Sequence, residues 1–440
     1  MTVKELQAAG VRALALVFVD NGGLARMKCV SIDRAESAAE HGVGWAEVWG
    51  LSLSNDSFAH PPQLYSPSGD VRLRADLDAA VPLGGAPGWG WAPIDHHWQS
   101  GEPWPGCQRW FLRRMIAAAA ERGIEIRAAW ELEWAVGDDG QDGFETLHPG
   151  PGYGAVTFDL TGSYLLELFD ALAESRIVPD QVHPEYSDGQ MELSLPVRDA
   201  VRACDESILA RQVIRTVGGN QGWRTSFSPL VVAGAVGNGV HLHFSVWHEG
   251  ENQLTGGDRP EAVKPLGEAF LAGVLSELPA LTAIGNPVVL SYARLVPQHW
   301  AGAYVCWGNE NREAALRLEG AGGPTAPRTA HVEWKSVDGA ANPYVALGAL
   351  IAAGLDGVER SLALPPSVSV DPATLPEPER PPRLPESLAQ AAEYLAESDA
   401  LRRAMGEYFH DRLVAVRRAE TEAVAGLDEE ALVAKYRWRF

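Results

Sequence analysis

Polar and large apolar residues alternate in four separate segments of the chain, and this period of two predicts β-strands. In chain order the segments read AAWELEWAV, HPEYSDGQMELSL, NGVHLHFSVW and HVEWK. Their polar residues are Glu131 and Glu133, Glu185 and Glu192, His241, His243 and Ser245, and Glu333. Because side chains two apart project from the same face of a strand, each segment places its polar groups on one side and its apolar groups on the other. The four segments therefore predict a sheet that lines a polar cavity.

The remainder of the chain alternates between helical and extended patterns. Two apolar runs joined by the turn sequence DNGG at 20–23 predict a β-hairpin. Helices are predicted from Gln108 to a stop at Gly123, and at about 163–176, 199–217, 261–280, 343–361 and 387–423. The Gly-, Pro- and Trp-rich passage 83–107 predicts a linker, and the Pro-rich stretch 365–385 predicts an exposed loop or linker.

These elements predict an α+β protein. A small N-terminal β domain is expected over residues 1–100, followed by a large α+β domain over residues 107–440. A chain of 440 residues is long enough for such a division.

Composition narrows the possible partners. The net charge is −22, from 36 basic and 58 acidic residues, which argues against binding to nucleic acid or to an anionic membrane. No run reaches the apolar length of a membrane span, and the start MTVKELQAAG lacks a signal-peptide core, so we expect a cytoplasmic protein. The four cysteines are scattered without a CxxC pair, which is typical of reduced, structural thiols.

The alternating segments supply mainly carboxylates with a few imidazoles, a set that suits two hard divalent ions such as Mg²⁺ or Mn²⁺ better than zinc. Arg294, Arg312 and Arg317 add guanidinium groups, and the last two are spaced so that both could reach one polyphosphate. The sequence has no GxxxxGK[ST] motif, so a nucleotide would be held by metals and arginines. Taken alone, the segment of Glu131 and Glu133 is better explained as a solvated edge strand, an HxH pair is often only packed in a core, and each arginine could form a surface salt bridge. Together they favour a binding site.

The order of these motifs resembles the glutamine synthetase family over nearly the whole chain. It runs ExE, then E(x)6E with GQME, NGxHxHxS, SYxRLVP, NRExxLR, and VEWK with ANPY. The segment WAGAYVCWGNENRE is most similar to the γ-glutamylamide synthetase and FluG- or nodulin-type branches. The resemblance implies a β-grasp-like N-terminal domain and a catalytic domain built on a curved antiparallel sheet.

The resemblance also implies a role for each motif residue. One metal would be held by Glu133, Glu185 and Glu192, and a second by Glu131, His241 and Glu333. ATP would be bound by His243, Ser245, Arg312 and Arg317, and the substrates by Asn238, Gly239, Arg294, Tyr153 and Trp300. Arg312, Lys335 and Trp300 are assigned to the catalytic step. The implied cofactors are two or more Mg²⁺ or Mn²⁺ ions per site, with ATP as co-substrate.

Three departures from the family pattern concern the acceptor and the acyl group. Trp300 stands where the family has a flap glutamate, and Gly44 to Val48 replace the family's FDGSS, whose aspartate helps to bind ammonium. Glu47 could partly compensate for that loss. Lys335 replaces an arginine and loses its paired donor geometry. Capture of ammonium needs anionic partners, whereas an organic amine can be held by apolar and aromatic contact.

We therefore expect an ATP-dependent ligase that joins the γ-carboxyl group of glutamate to an organic amine through a γ-glutamyl phosphate. The alternatives are a glutamine synthetase that uses ammonium and a non-catalytic structural or regulatory assembly, although the complete ligand set argues against the latter. The amine stays open, as does the acid in view of Lys335. By resemblance the chain forms a homo-oligomer, a dodecamer of two stacked rings, with active sites shared between subunits.

Overall fold

The computed structural model of the chain describes residues 1–140, 143–258 and 263–440. Strands in these ranges are β1 (Ala13–Val19), β2 (Ala25–Ser31), β3 (Val43–Ala46), β4 (Asp70–Ala75), β5 (Val81–Pro82), β6 (Trp89–Trp98), β7 (Ile124–Gly140), β8 (Gly143–Thr146), β9 (Gln181–Pro184), β10 (Gln190–Ser194), β11 (Arg198–Asp199), β12 (Arg224–Ser226), β13 (Val240–His248), β14 (Glu251–Asn252), β15 (Tyr304–Asn309), β16 (Ala314–Glu319) and β17 (His331–Trp334). Helices are α1 (Val3–Ala8), α2 (Ala35–Glu40), α3 (Gln108–Ala120), α4 (Phe158–Glu174), α5 (Ala200–Asn220), α6 (Pro265–Gly285), α7 (Ser291–Arg294), α8 (Ala326–Thr329), α9 (Pro343–Glu359), α10 (Leu388–Glu397), α11 (Asp399–Met405), α12 (Glu407–Ala423) and α13 (Glu429–Tyr436).

The first sheet contains six strands in the order β2-β1-β6-β4-β3, with β5 beside β6. Its β1–β2 hairpin confirms the prediction for the DNGG turn. The predicted linker at 83–107 is wrong, because β6 lies at the centre of this sheet and pairs in parallel with β1. Gly84, Gly85 and Gly88 lie in the turn before the strand, where Gly85 and Gly88 have positive φ, while Trp91 is buried in the strand itself.

The second sheet contains eleven strands, with the path β15-β16-β17-β13-β7-β10-β9. Every pair along this path is antiparallel except β15–β16, which is parallel. At its centre β7 buries Trp130, Leu132 and Trp134 on one face. The alternate residues Glu131 and Glu133 project from the other face, as the period of two predicts. The predicted division at about residue 100 is retained as a proposal, since one sheet lies on each side of it.

Helices cover the apolar face of the second sheet. The central helices α6 and α9 are almost entirely buried. The prediction that no run reaches the apolar length of a membrane span is wrong for helix α6, which is long and apolar enough by length and composition. However, 78% of its most apolar window is buried inside the protein. It is therefore placed as a core helix. The predicted helices at α3, α4, α5, α6 and α9 are present, while the predicted start of α6 at 261 lies outside the described residues.

The single helix predicted at 387–423 is wrong. The chain forms three helices there, α10, α11 and α12. Ser398 is extended and caps α11 by accepting a hydrogen bond from Leu401 N, and Gly406 has φ of 79° before α12. Both conformations interrupt the helical hydrogen-bond ladder.

The Pro-rich stretch 365–385 is irregular, as predicted, but it is held against the sheet. Val305 N donates to Pro382 O at 2.8 Å, and Val368 N donates to Trp307 O at 2.9 Å. The stretch thereby covers β15, an edge strand of the second sheet.

Candidate active site

A cavity of about 990 Å³ opens on the polar face of the second sheet. Residues predicted for the site and found in its lining are Glu131, Glu133, Tyr153, Glu185, Glu192, His241, His243, Arg294, Trp300, Arg312, Arg317, Glu333 and Lys335. Strand register brings them together: His241 is opposite Glu131, Glu192 is opposite Glu133, and Glu333 is opposite both His243 and Arg317. Residues far apart in sequence thus share one wall, because opposite side chains on paired strands are neighbours.

His241 stands at the centre of one predicted ligand set. Its Nδ1 lies 2.7 Å from Glu131 Oε1 and 3.2 Å from Glu333 Oε1. Its Nε2 lies 3.7 Å from Glu133 Oε1, and accepts a hydrogen bond from Arg294 Nη2 at 3.0 Å. The predicted set Glu131, His241 and Glu333 therefore converges.

The second predicted set is Glu133, Glu185 and Glu192. Glu133 Oε2 accepts hydrogen bonds from Gly239 N at 2.6 Å and Gln190 Nε2 at 3.1 Å. Glu185 Oε1 accepts from Tyr153 Oη at 2.6 Å. All three carboxylates line the cavity, but Glu185 and Glu192 are not among the closest groups of ligand atoms in the described residues. Those groups are Glu131, Glu133 and His241; Glu131, His243 and Glu333; and His243, Glu319 and His331.

The carboxylates that line this cavity have the charge and the free oxygen atoms that bound cations require. Burial raises the pKa of Glu192, and the negative charges of Glu131 and Glu133 raise it further. Glu185 Oε2 is buried and has no hydrogen-bond partner in the part of the chain that the structure describes. Carboxylates that repel one another and leave an oxygen unsatisfied are the donors that Mg²⁺ or Mn²⁺ would stabilise.

Lys335 is tied to one of the predicted metal ligands. Its Nζ lies 2.9 Å from Glu333 Oε1, and both side chains are almost fully buried. Burial alone would oppose ionisation of Glu333, but Lys335 and His241 hold its pKa well below the usual range. Arg294 donates to the Lys335 carbonyl at 3.1 Å. These contacts fix the orientation of the ligand carboxylate.

Asn238, Gly239 and Ser245, predicted to bind substrates or ATP, are buried and lie outside the described cavity lining. Asn238 accepts from Gln190 Nε2 at 3.1 Å and donates to Ser228 O at 2.9 Å, so its amide supports the wall. A Cβ on Gly239 would lie 2.3 Å from His241 Nε2 and 2.6 Å from Arg294 Nη2. A larger residue there would have to displace the side chain of His241 or Arg294.

The two predicted phosphate-binding arginines reach the cavity from different surroundings. Arg317 contacts Glu319 at 3.1 Å, Glu333 at 3.3 Å and Glu310 at 3.1 Å. The guanidinium of Arg312 lies over the ring of Trp300 at 5.6 Å. Arg317 is thus surrounded by carboxylates, whereas Arg312 is placed beside the exposed ring.

Aromatic side chains surround the mouth of the cavity. Tyr153, Tyr186 and Trp300 are 59%, 64% and 54% exposed. Trp300 lies on a loop whose residues Gln298 and Trp300 have φ of 64° and 54°. Glu313 accepts hydrogen bonds from both backbone N–H groups, at 3.1 Å and 3.0 Å. One buried carboxylate therefore holds the loop in an uncommon conformation.

Glu47, expected to compensate for the missing aspartate, is engaged within its own chain. Its carboxylate accepts hydrogen bonds from Tyr408 Oη and from Arg412 Nη2, the latter at 3.2 Å. The negative charge of Glu47 is therefore already paired, so its carboxylate attracts ammonium less strongly than a free carboxylate would.

The sequence analysis missed several residues of the wall and mouth. These are His183, Tyr186, Gln190, Glu313, Glu319 and His331. Two of them carried a usable signal: Glu319 lies two residues after Arg317, and His331 two residues before Glu333, so each shares a strand face with a predicted residue.

Comparisons with known proteins agree with the fold and identify the family. Residues 105–436 match the family model for the glutamine synthetase catalytic domain. The chain is 43% identical to γ-glutamylpolyamine synthetase GlnA3 of Streptomyces coelicolor, over 99% of this chain and 95% of the relative. It is 29% identical to glutamine synthetase of Pyrococcus abyssi, over 96% of this chain and 94% of the relative.

Two solved structures share the fold. A crystal structure of a novel glutamine synthase homolog has a TM-score of 0.86 at 30% identity and covers 98% of this chain and 99% of its own. A GmaS/ADP complex has a TM-score of 0.84 at 24% identity, with 97% of each chain covered. The predicted α+β fold and the predicted family are both confirmed. The chain belongs to the glutamine synthetase family.

Proposed function

We propose that this protein is an ATP-dependent ligase that joins the γ-carboxyl group of glutamate to a polyamine. The class of carboxylate–amine ligase follows from the family and from the 43% identical γ-glutamylpolyamine synthetase. The choice of a polyamine goes further, and is supported by that relative's name together with the shape and charge of the cavity mouth.

The observation that carries the proposal is an acidic cavity with an aromatic rim. Tyr153, Tyr186 and Trp300 present exposed rings around carboxylates such as Glu185 and Glu192. Aromatic faces attract alkylammonium groups, and carboxylates attract further positive charges on the same chain. Ammonium has no hydrocarbon chain that could pack against the aromatic rings. A polyamine offers both a hydrocarbon chain and several cationic nitrogens.

The chemistry begins with activation of the acid, because a carboxylate is a poor acyl donor. A γ-carboxylate oxygen attacks the γ-phosphorus of ATP, and the bond to ADP breaks, which gives a γ-glutamyl phosphate. The amine nitrogen then attacks the acyl carbon, loses a proton, and displaces inorganic phosphate. The product is an amide.

The chain's own residues would stabilise these steps electrostatically. Arg312 and Arg317 would face negative charge on the transferred phosphoryl group, where fixed cations lower the barrier. Glu131, Glu133, Glu185, Glu192, His241 and Glu333 would hold Mg²⁺ or Mn²⁺ ions, which supply Lewis-acid neutralisation of phosphate oxygens. Lys335 orients Glu333 among them.

Phosphate release with ATP and glutamate tests the proposal. The acceptor panel would contain ammonium, methylamine, ethanolamine, putrescine, spermidine, hydrazine and an aromatic amine at equal concentration, with mass spectrometry of the products. We expect the fastest release with a polyamine and a γ-glutamyl polyamide as product. Ammonium as the best acceptor would overturn the proposal, as would a polyamine effect without an amide product. Replacement of glutamate by other acids in the same assay tests the acid substrate.

A further inference from the structure

Three side chains that the family assignment does not group together meet at one edge of the cavity. His243 lies on β13, Glu319 on β16 and His331 on β17. One ligand atom from each lies within 4.8 Å of the others. Adjacent strands bring them together, since β17 pairs with both β13 and β16, and Glu319 is directly opposite His331.

The spacing of these atoms is that of ligands around an ion. His331 Nε2 lies 3.7 Å from Glu319 Oε1, and His243 Nδ1 lies 3.9 Å from the same oxygen. Both distances exceed a hydrogen bond. Nitrogen and oxygen ligands at about 2.1 Å from one metal, at tetrahedral or wider angles, are about 3.4 to 3.9 Å apart. The observed gaps therefore match a shared ion between the three groups.

The carboxylate of Glu319 is oriented for such a role. Its Oε2 contacts Arg317 at 3.1 Å, which fixes the side chain. Its Oε1 is buried and finds no hydrogen-bond partner within residues 1–140, 143–258 and 263–440. An unsatisfied buried carboxylate oxygen is costly unless a cation or a donor reaches it.

The tautomer of His331 also favours a metal. Its Nδ1 donates to the Thr329 carbonyl at 2.7 Å, which leaves the lone pair on Nε2, the nitrogen that faces Glu319. Metal-binding histidines commonly donate their second ring N–H to a carbonyl in this way.

We infer that His243, Glu319 and His331 form an additional divalent-cation site, distinct from the two sets of ligands assigned by the family. Two imidazole nitrogens and one carboxylate oxygen prefer ions such as Zn²⁺ or Co²⁺ to Mg²⁺, which favours oxygen donors. Remaining coordination positions are open to water or to another oxygen ligand. An ion there would also connect three neighbouring strands of the sheet. The inference does not depend on which amine the enzyme uses.

Cobalt binding in excess Mg²⁺ tests the site, because Mg²⁺ occupies oxygen-rich positions while Co²⁺ reports nitrogen ligands by its visible absorption. Metal-free protein would be titrated with Co²⁺ in millimolar Mg²⁺, and bound metal counted by mass spectrometry after gel filtration. The variants are His331→Ala and Glu319→Gln, with circular dichroism to check folding. His299→Ala, which removes an exposed histidine from the same cavity, is the matched control.

We expect the wild type and His299→Ala to bind one Co²⁺ per chain with visible absorption bands. Each of the other two variants should bind it at least about tenfold more weakly, since a direct ligand is lost. Failure of the wild type to bind Co²⁺ in excess Mg²⁺ would overturn the inference. So would unchanged binding in both His331→Ala and Glu319→Gln, because the ion would then lie at the other carboxylates.

Discussion

Trp300 is expected, from the resemblance to glutamine synthetases, to replace a flap glutamate of the ammonium-using members. Its ring is 54% exposed at the cavity mouth, with the Arg312 guanidinium 5.6 Å from the ring centroid. We predict that Trp300→Glu raises the rate with ammonium relative to that with a polyamine, because a carboxylate replaces an apolar contact. The ratio of the two phosphate-release rates is the measurement. Trp300→Phe is the matched control and should leave the ratio nearly unchanged. An unmoved ratio in Trp300→Glu would remove Trp300 from the acceptor site.

Glu133 and His241 are predicted metal ligands in the acidic wall, where Glu133 Oε1 lies 3.7 Å from His241 Nε2. Chelation should abolish turnover, and Mg²⁺ or Mn²⁺ should restore it. We expect Glu133→Ala and His241→Ala to retain the fold and lose at least about a hundredfold in phosphate release, since each removes a direct ligand. Glu125→Ala on the same strand, where the side chain is 60% exposed, should keep full activity. Activity retained in both wall variants would refute the ligand assignment.

His96 is predicted to make stability depend on pH. It is 3% exposed and its ring lies 4.7 Å from that of Phe18. Burial, with a smaller contribution from His97, lowers the pKa of His96 to about 3. An unfolded histidine has a pKa near 6.5. The free energy of unfolding is therefore unaffected by His96 above about pH 6.5, and it decreases as the pH falls from there towards 3. At pH 5 the loss is about 2 kcal/mol.

Thermal unfolding at pH 7 and pH 5 measures this effect. His96→Phe keeps an aromatic ring in the core and removes the titrating group, so its unfolding midpoint should fall less than that of the wild type. His41→Phe, at a position where the side chain is 69% exposed, is the control and should behave like the wild type. An equal fall in His96→Phe and wild type would contradict the assignment.

At the scale of elements, the loop that carries Trp300 depends on a single acceptor. Glu313 binds the N–H groups of Gln298 and Trp300, and both loop residues have left-handed φ. We predict that Glu313→Gln raises KM for the amine by about tenfold with little change in KM for ATP, because a hydrogen bond to a charged acceptor contributes about 1.5 to 3 kcal/mol. Steady-state kinetics with each substrate varied provide the test.

Glu377→Gln serves as the control for that measurement. It makes the same chemical change at an exposed position in the Pro-rich stretch 365–385. It should leave both KM values unchanged. Equal rises in the two KM values of Glu313→Gln would indicate that the whole site had loosened. That outcome would contradict a specific role for Glu313 in holding the loop that carries Trp300.

At the scale of the whole molecule, assembly remains a prediction. The N-terminal sheet of one subunit is expected to close the cavity of the next, in a ring and then in two stacked rings. Val156, Phe158 and Leu166 are 72%, 68% and 65% exposed in the single chain. We expect a neighbouring subunit to cover these apolar side chains. Trp45 and Trp49 of the N-terminal domain are half-buried and lie against each other.

Light scattering combined with activity across a gel-filtration peak tests the assembly. We expect activity only in a species of at least six chains. An active monomer would contradict the shared-site model, because one chain would then complete its own site. An active hexamer would leave that model intact and remove only the stacking of rings.

The central wall of the site could be predicted from the order of residues along the chain. Alternation with a period of two places Glu131 and Glu133 on the face opposite Trp130, Leu132 and Trp134, and burial of the apolar face then directs the carboxylates into the cavity. The hairpin and the main helices were also predictable, since turn residues and hydrophobic spacing act over a few residues. Composition was misleading at β6, because some of the residues that indicated a linker lie in the turn before the strand, while Gly90 and Pro93 lie within it and pair with neighbouring strands.

Which polar residues contact one another depends on the packing of the strands in three dimensions. Register between strands sets Glu319 opposite His331, and the pairing of β17 with β13 adds His243. Glu313 binds the loop that carries Trp300 from 13 residues further along the chain, and Arg412 and Tyr408 bind the Glu47 carboxylate from the opposite end of the chain. Local patterns fix the face on which a side chain lies, but they carry no information about the neighbour on the next strand. That neighbour is chosen by packing of the whole fold, so the Glu47 pairing and the His243, Glu319 and His331 group became visible only in the structure.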